Sequence, residues 1–172
     1  ISSASGKDLT LTLEPGYDPT LEAIDINHDN VNDLFYQVTV DRFKNVKKQR
    51  IITLTQETVT DIPLPTNENV QAKLQPFFKL EINIPGQSKT ITSPLTTKDE
   101  RLTTLYDAQG NLLGERHLHV TPIHHFSVQY EHARNSYVLV GTQSILTKNG
   151  HHPLGVLLTT WYYHPHKKKW QL

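Results

Sequence analysis

The feature that most constrains this chain is a hydrophobic period of two that recurs along nearly its whole length. DLTLTLE (8–14), LFYQVTVDRF (34–43), RIITLTQETV (50–59), FKLEINI (78–84), RLTTLYD (101–107), FSVQY (126–130), SYVLVGT (136–142) and GVLLTTWYYH (155–164) alternate or run apolar and are rich in Thr, Val, Ile and Tyr. Side chains of an extended chain point to opposite faces in turn, and β-branched and aromatic residues pack well on a pleated surface, so each segment is predicted to be a strand. EPGYDP, KNVKKQ, IPGQS, DAQGN, EHARN, KNGHHP and HPHKKK separate them, and their Gly, Pro, Asn and Asp supply the backbone angles of tight turns. Strands joined this closely pair antiparallel, which predicts an all-β antiparallel sandwich, barrel or pinwheel.

One or two short helices are expected beside the strands. PTNENVQAKLQPF (65–77) offers Thr66 as an N-cap and Val70 and Leu74 one helical turn apart before Pro76, and PTLEAI (19–24) offers a further turn. No repeat at solenoid or propeller spacing and no low-complexity linker is visible. A single domain over residues 1–172 is the expectation, with the small polar ISSASGK making residues 1–7 a flexible tail.

Charge and composition exclude whole classes of function. Seventeen basic residues balance 17 acidic ones, so no polyanion or nucleic acid partner is implied. RFKNVKKQR (42–50) and HKKKW (166–170) read as solvated turn ends. No apolar run approaches the roughly 18 residues of a membrane-spanning helix, and no transmembrane segment is expected. The absence of Cys removes disulfides, thiolate zinc sites and thiol catalysis, and the absence of Met suggests a chain trimmed after a cleavage site.

The densest chemistry lies in AIDINHDNVNDL. Counting from Asp25, side-chain oxygens fall at positions 1, 3, 5 and 9 as Asp25, Asn27, Asp29 and Asp33, with the Val31 carbonyl at position 7. A hard cation needs about 6–8 oxygens, and a tight loop that turns alternate side chains inward supplies several of them from one short segment. The position that favours Gly is Asn30, the residue next best able to take positive φ, and position 12 is Tyr36 instead of Glu. The pattern is thus a calcium loop that leads into a strand. The alternative is a surface turn in which the same Asp and Asn cap local amides without metal.

Ile24 to Leu34 resembles the D-x-N-x-D-G-x-x-D-L loop of FG-GAP-type repeats in secreted proteins. That resemblance implies calcium as the cofactor, held by Asp25, Asn27, Asp29, Val31 and Asp33, in a secreted or periplasmic β protein. YDAQGNL (106–112) resembles the core of YD repeats, although one copy is equally a simple hairpin turn.

Ten His include the pairs His117 and His119, His124 and His125, His151 and His152, and His164 and His166. On a strand His117 and His119 share a face, which makes them a possible second metal site with a third ligand from a neighbouring strand. Trp161, Tyr162, Tyr163 and Trp170 could present a stacking surface for carbohydrate, or cover the core. The nucleophile elbow, phosphate loop and dinucleotide fingerprint are missing. The expected function is a calcium-binding module with a protein or carbohydrate partner. The rival is a hydrolase, or hydrolase inhibitor, acting at polysaccharide or peptidoglycan.

Overall fold

The structure, a computed structural model, describes residues 10–43, 46–54, 58–88, 90–96, 100–114, 116–147 and 153–172. Twelve strands occur among these: β1 (Tyr17–Ile24), β2 (Asp33–Asp41), β3 (Val46–Leu54), β4 (Val59–Ile62), β5 (Gln71–Gln75), β6 (Lys79–Asn83), β7 (Ile91–Pro94), β8 (His117–Val120), β9 (His125–Glu131), β10 (Ser136–Leu146), β11 (Gly155–His164) and β12 (Lys169–Gln171). Two short 3₁₀ turns, Glu100–Thr104 and Pro165–Lys167, are the helical elements among the described residues. Every pairing given by residue register is antiparallel, and the fold is all-β as its periodicity predicts. The expected tail over residues 1–7 lies outside the described residues.

The chain divides into two compact units, residues 1–65, 124–141 and 159–172 in the first and 66–123 and 142–158 in the second. Strands β10 and β11 each contribute residues to both.

In the first unit β1, β2, β3 and β4 form a meander in sequence order. Its inner strand β2 buries Leu34, Phe35, Tyr36 and Val38. Burial of consecutive residues means that both faces of the strand are covered, as a strand interior to a fold requires. Ile24 and Ile26, Ile51 and Ile52 of β3, Ile62 of β4, Phe126 of β9, Val138, Leu139 and Val140 of β10 and Trp161 of β11 are also buried in this unit. Gln49 ties β3 to β9 by donating from Nε2 to the Phe126 carbonyl at 2.7 Å and accepting from the Phe126 amide at 2.7 Å.

The second unit orders its strands β8-β5-β6-β7, with β10 beside β8. Leu74, Leu102 and Tyr106 form a buried cluster against which Phe78, Leu95, Leu105, Leu112, Leu118 and Leu154 pack. Inside this unit Asn67 donates from Nδ2 to Gln143 Oε1 at 2.8 Å, and Gln143 donates from Nε2 to the Thr121 carbonyl at 2.8 Å. Both side chains are buried, so these bonds satisfy groups that would otherwise be costly to bury.

Four sequence expectations need correction. Of the strand expected at 8–14, the described residues 10–14 carry none: the Thr12 carbonyl accepts from Arg50 at 3.3 Å and the Glu14 carbonyl from the Tyr36 hydroxyl at 2.6 Å. The helical turn expected at 19–24 lies in β1, paired along β2 from Leu21↔Tyr36 to Ile24↔Asp33. The helix expected at 66–75 gives way to β5, because Asn69 sits at φ 62° and Ala72 and Leu74 are the buried pair, which is period two. RLTTLYD reverses the error. Leu102 and Tyr106 are buried one helical turn apart, and Tyr106 donates its amide to the Leu102 carbonyl at 2.9 Å.

Candidate functional site

The acidic loop lies between β1 and β2, where the two strands pair up to Ile24↔Asp33 and leave residues 25–32 to turn. His28 and Asn30 take left-handed backbone angles of φ 62° and 65°. Asn tolerates that region better than most residues, which is how position 30 replaces glycine. The odd-numbered side chains fold back over the loop. Asp25 accepts from the Asp29 amide at 3.0 Å and the Asn30 amide at 3.0 Å, Asn27 Oδ1 accepts from the Asp29 amide at 2.9 Å, and Asp29 accepts from the Val31 amide at 2.9 Å.

Asp33 anchors the far end. It is fully buried, and its Oδ2 accepts from the Ile26 and Asn27 amides, each at 3.2 Å. Burial pushes its carboxyl above the usual range, with the Asp29 charge adding to the rise, while bonds from Thr53, Asn27 and Ile26 oppose it. Asn27 Nδ2 lies between acceptors, 3.0 Å from Asp29 Oδ2, 3.3 Å from Asp33 Oδ1 and 3.5 Å from Thr53 Oγ1. A donor thus stands where two carboxylates would otherwise repel.

The structure therefore brings Asn27, Asp29 and Asp33 together around one point and directs Asp25 onto backbone amides, while Val31 contributes its amide to Asp29. No group of three or more His, Asp or Glu side chains is gathered tightly enough to hold a metal among the described residues. His28, which the spacing argument passes over, turns inward. Its ring stacks on Tyr162 at 4.8 Å and 15°, and its Nε2 is buried without a hydrogen-bond partner among the described residues. Burial lowers its pKa, with Asp25 opposing.

His117 and His119 share a face of β8 and are exposed. Their register partners are Lys73 and Leu146, so the neighbouring strands place a cation and an aliphatic chain opposite them. The His164 and His166 rings meet edge-on at 6.1 Å. His151 and His152 lie outside the described residues.

The four aromatic residues do not form one surface. Strand alternation sends Trp161 into the core, where its Nε1 donates to Thr159 Oγ1 at 3.0 Å. Tyr163 packs edge-on to Trp170 at 5.1 Å and 73°. Trp170 in turn donates from Nε1 to the Pro63 carbonyl at 2.7 Å.

Beside the loop is a groove of about 380 Å³ bordered by Asn27 and Asp29, by Thr60 and Asp61 of β4, and by Tyr163 and Lys168 near the C-terminus. These residues are separated widely in sequence, and only the fold assembles them. YDAQGNL is a tight turn: Tyr106 and Leu112 form an isolated bridge, Gly110 takes φ 81°, and the Asn111 side chain and amide hold the Asp107 carboxyl below its usual range.

Residues 68–172 match the family model described as YybI C-terminal domain. No curated protein and no solved structure matches the chain.

Proposed function

The chain belongs to the YybI C-terminal domain family, and we propose that its Asp25–Asp33 loop holds calcium as a structural staple for a binding module that works in a secreted or periplasmic setting. The observation that carries the reading is the convergence of Asp29 Oδ2 and Asp33 Oδ1 on a single point, now filled by Asn27 Nδ2 at 3.0 and 3.3 Å. A divalent cation there offsets both the repulsion between the carboxylates and the burial cost of an ionised Asp33. Asn27 would offer its side-chain oxygen to the ion, and the Asp25 carboxylate, which now accepts from the Asp29 and Asn30 amides, and the Val31 carbonyl would be the further oxygens of the set.

The FG-GAP resemblance supports the same assignment, since it rests on Asp25, Asn27, Asp29, Asp33 and Leu34. A site with few carboxylates fills at roughly 10⁻⁴ to 10⁻³ M calcium, levels met outside cells. Calcium here orders the β1–β2 connection, and the module acts through a surface. Among the described residues no helix is long and apolar enough to cross a membrane.

The test is a pair of thermal melts, one in excess calcium and one in chelator. The parent chain is expected to melt higher in calcium, and Asp29→Ala to lose that difference. Equal melting of the parent in both buffers overturns the calcium reading, and a shift that survives in Asp29→Ala moves the site elsewhere.

A further inference from the structure

We infer that the groove beside the acidic loop binds a neutral, hydroxyl-rich ligand, a saccharide, with Tyr163 as its stacking face. The inference rests on the reading of this chain as a binding module, but not on calcium. The volume of about 380 Å³ falls at the small end of ligand sites, which run from about 300 to 1,000 Å³.

The apolar wall is held in place before any ligand arrives. The Tyr163 ring is fixed edge-on by Trp170, and Trp170 is pinned through its indole N–H to the Pro63 carbonyl. An aromatic ring held in this way suits the C–H face of a sugar and loses little entropy on binding.

The polar wall offers acceptors and one donor. Asp61 is clamped by Arg50, whose Nη2 lies 2.9 and 3.0 Å from its two oxygens. Asp29 accepts one bond at each oxygen, from Val31 and from Asn27. A carboxylate has about four acceptor positions, so both residues keep capacity for ligand hydroxyls. Lys168 supplies the donor, and its ammonium has no hydrogen-bond or ion-pair partner among the described residues. It sits at φ 49°, just after the 3₁₀ turn.

Charge selects the ligand class. The Asp29 and Asp61 carboxylates are balanced by the Lys168 ammonium and by the Arg50 guanidinium that clamps Asp61, so neither a strongly anionic nor a strongly cationic ligand is favoured, and an apolar one would strip water from both carboxylates without replacing it. Sugar hydroxyls donate to the carboxylates and accept from the ammonium at once.

The test is titration calorimetry with cellotriose, maltotriose and tri-N-acetylchitotriose, each run in calcium and in chelator on the parent chain, Tyr163→Ala, Lys168→Gly and Lys79→Ala. At least one sugar is expected to bind saturably near or below about 1 mM. Tyr163→Ala and Lys168→Gly are each expected to weaken it about tenfold or more, and Lys79→Ala to leave it unchanged. Lys168→Gly keeps the test decisive if Tyr163→Ala fails to fold, because glycine accepts the left-handed angle without strain.

Absence of saturable binding by all three sugars overturns the inference, and so does binding that Lys168→Gly leaves intact. Sugar binding without any calcium heat keeps the groove and removes the calcium staple. Calcium heat without sugar binding does the reverse.

Discussion

Replacing Asn27 by Asp changes a donor into an acceptor at the centre of the acidic loop, and the sign of its effect depends on whether a cation sits there. Asn27 Nδ2 is 3.0 Å from Asp29 Oδ2 and 3.3 Å from Asp33 Oδ1. A carboxylate in its place meets Asp29, which is exposed to water, at about 1.4 kcal/mol for water's dielectric, and buried Asp33 at up to about 5 kcal/mol for an effective value of 20. Rotation of the new carboxylate relieves part of this, leaving a net loss of about 2–4 kcal/mol without metal. At about 2–4 °C per kcal/mol for a chain of this size, Asn27→Asp should melt roughly 4–16 °C below the parent in chelator. In saturating calcium the third charge lies on the ion, so the deficit should shrink to a few degrees or reverse. Trp161 and Trp170 are the only tryptophans and both lie in the unit that carries the loop, so their fluorescence follows the relevant melting. An equal deficit with and without calcium would refute the placing of a cation between these carboxylates.

The remaining predictions address the frame and its pH dependence. Burial raises the folded-state pKa of Asp33 above the ordinary aspartate value, so without metal its stabilising contribution is complete below the ordinary value and declines as pH rises through the folded one. Urea titrations in chelator should therefore show the stability of the parent, relative to Asp33→Asn, falling with rising pH; a relative gain would contradict this. Gly16→Ala places a Cβ 2.5 Å from Val38 Cγ2 and 2.6 Å from the Thr39 carbonyl oxygen, and should cost about 1–3 kcal/mol in denaturant unfolding. Gln143→Ala strips a buried acceptor from Asn67 and a donor from the Thr121 carbonyl. It should cost about 2–4 kcal/mol by the same measurement, and a loss below half a kcal/mol, about the scale of an ordinary surface change, would show that the pair is not held in the way described.

The fold was legible where burial and period coincide. β2 and β10 carry consecutive buried apolar residues and β11 buries Leu157, Thr159 and Trp161 in alternation, and the pattern that predicts these strands is the pattern that packs them. The strand β1 was hidden because seven of its eight residues are exposed, so no apolar alternation marks it and its ladder with β2 alone makes it a strand. Val70 and Leu74 fit a helix equally well by spacing, and the choice fell to Ala72 between them, whose burial selects the extended form. In RLTTLYD the threonines imitate a strand, although burial follows Leu102 and Tyr106.

The acidic loop was legible because its chemistry is local: Asp25 to Asp33 is nine consecutive residues, and His28 and Asn30 within it take the positive φ of its turn. Its internal wiring was not, since spacing cannot tell whether an oxygen faces an amide or an ion. The inward turn of His28 onto Tyr162 joins residues 134 positions apart, from 28 to 162. The groove likewise draws on β4 and the C-terminal turn, and no local pattern links Asp61 with Lys168.

The central claim is that the Asp25–Asp33 loop holds calcium, and titrating calcium into the metal-free chain by calorimetry tests it most directly. The predicted result is one site per chain, half-filled at roughly 10⁻⁴ to 10⁻³ M, with its heat lost in Asp29→Ala and Asp33→Ala. No saturable heat in the parent, or the same heat in both variants, would contradict it.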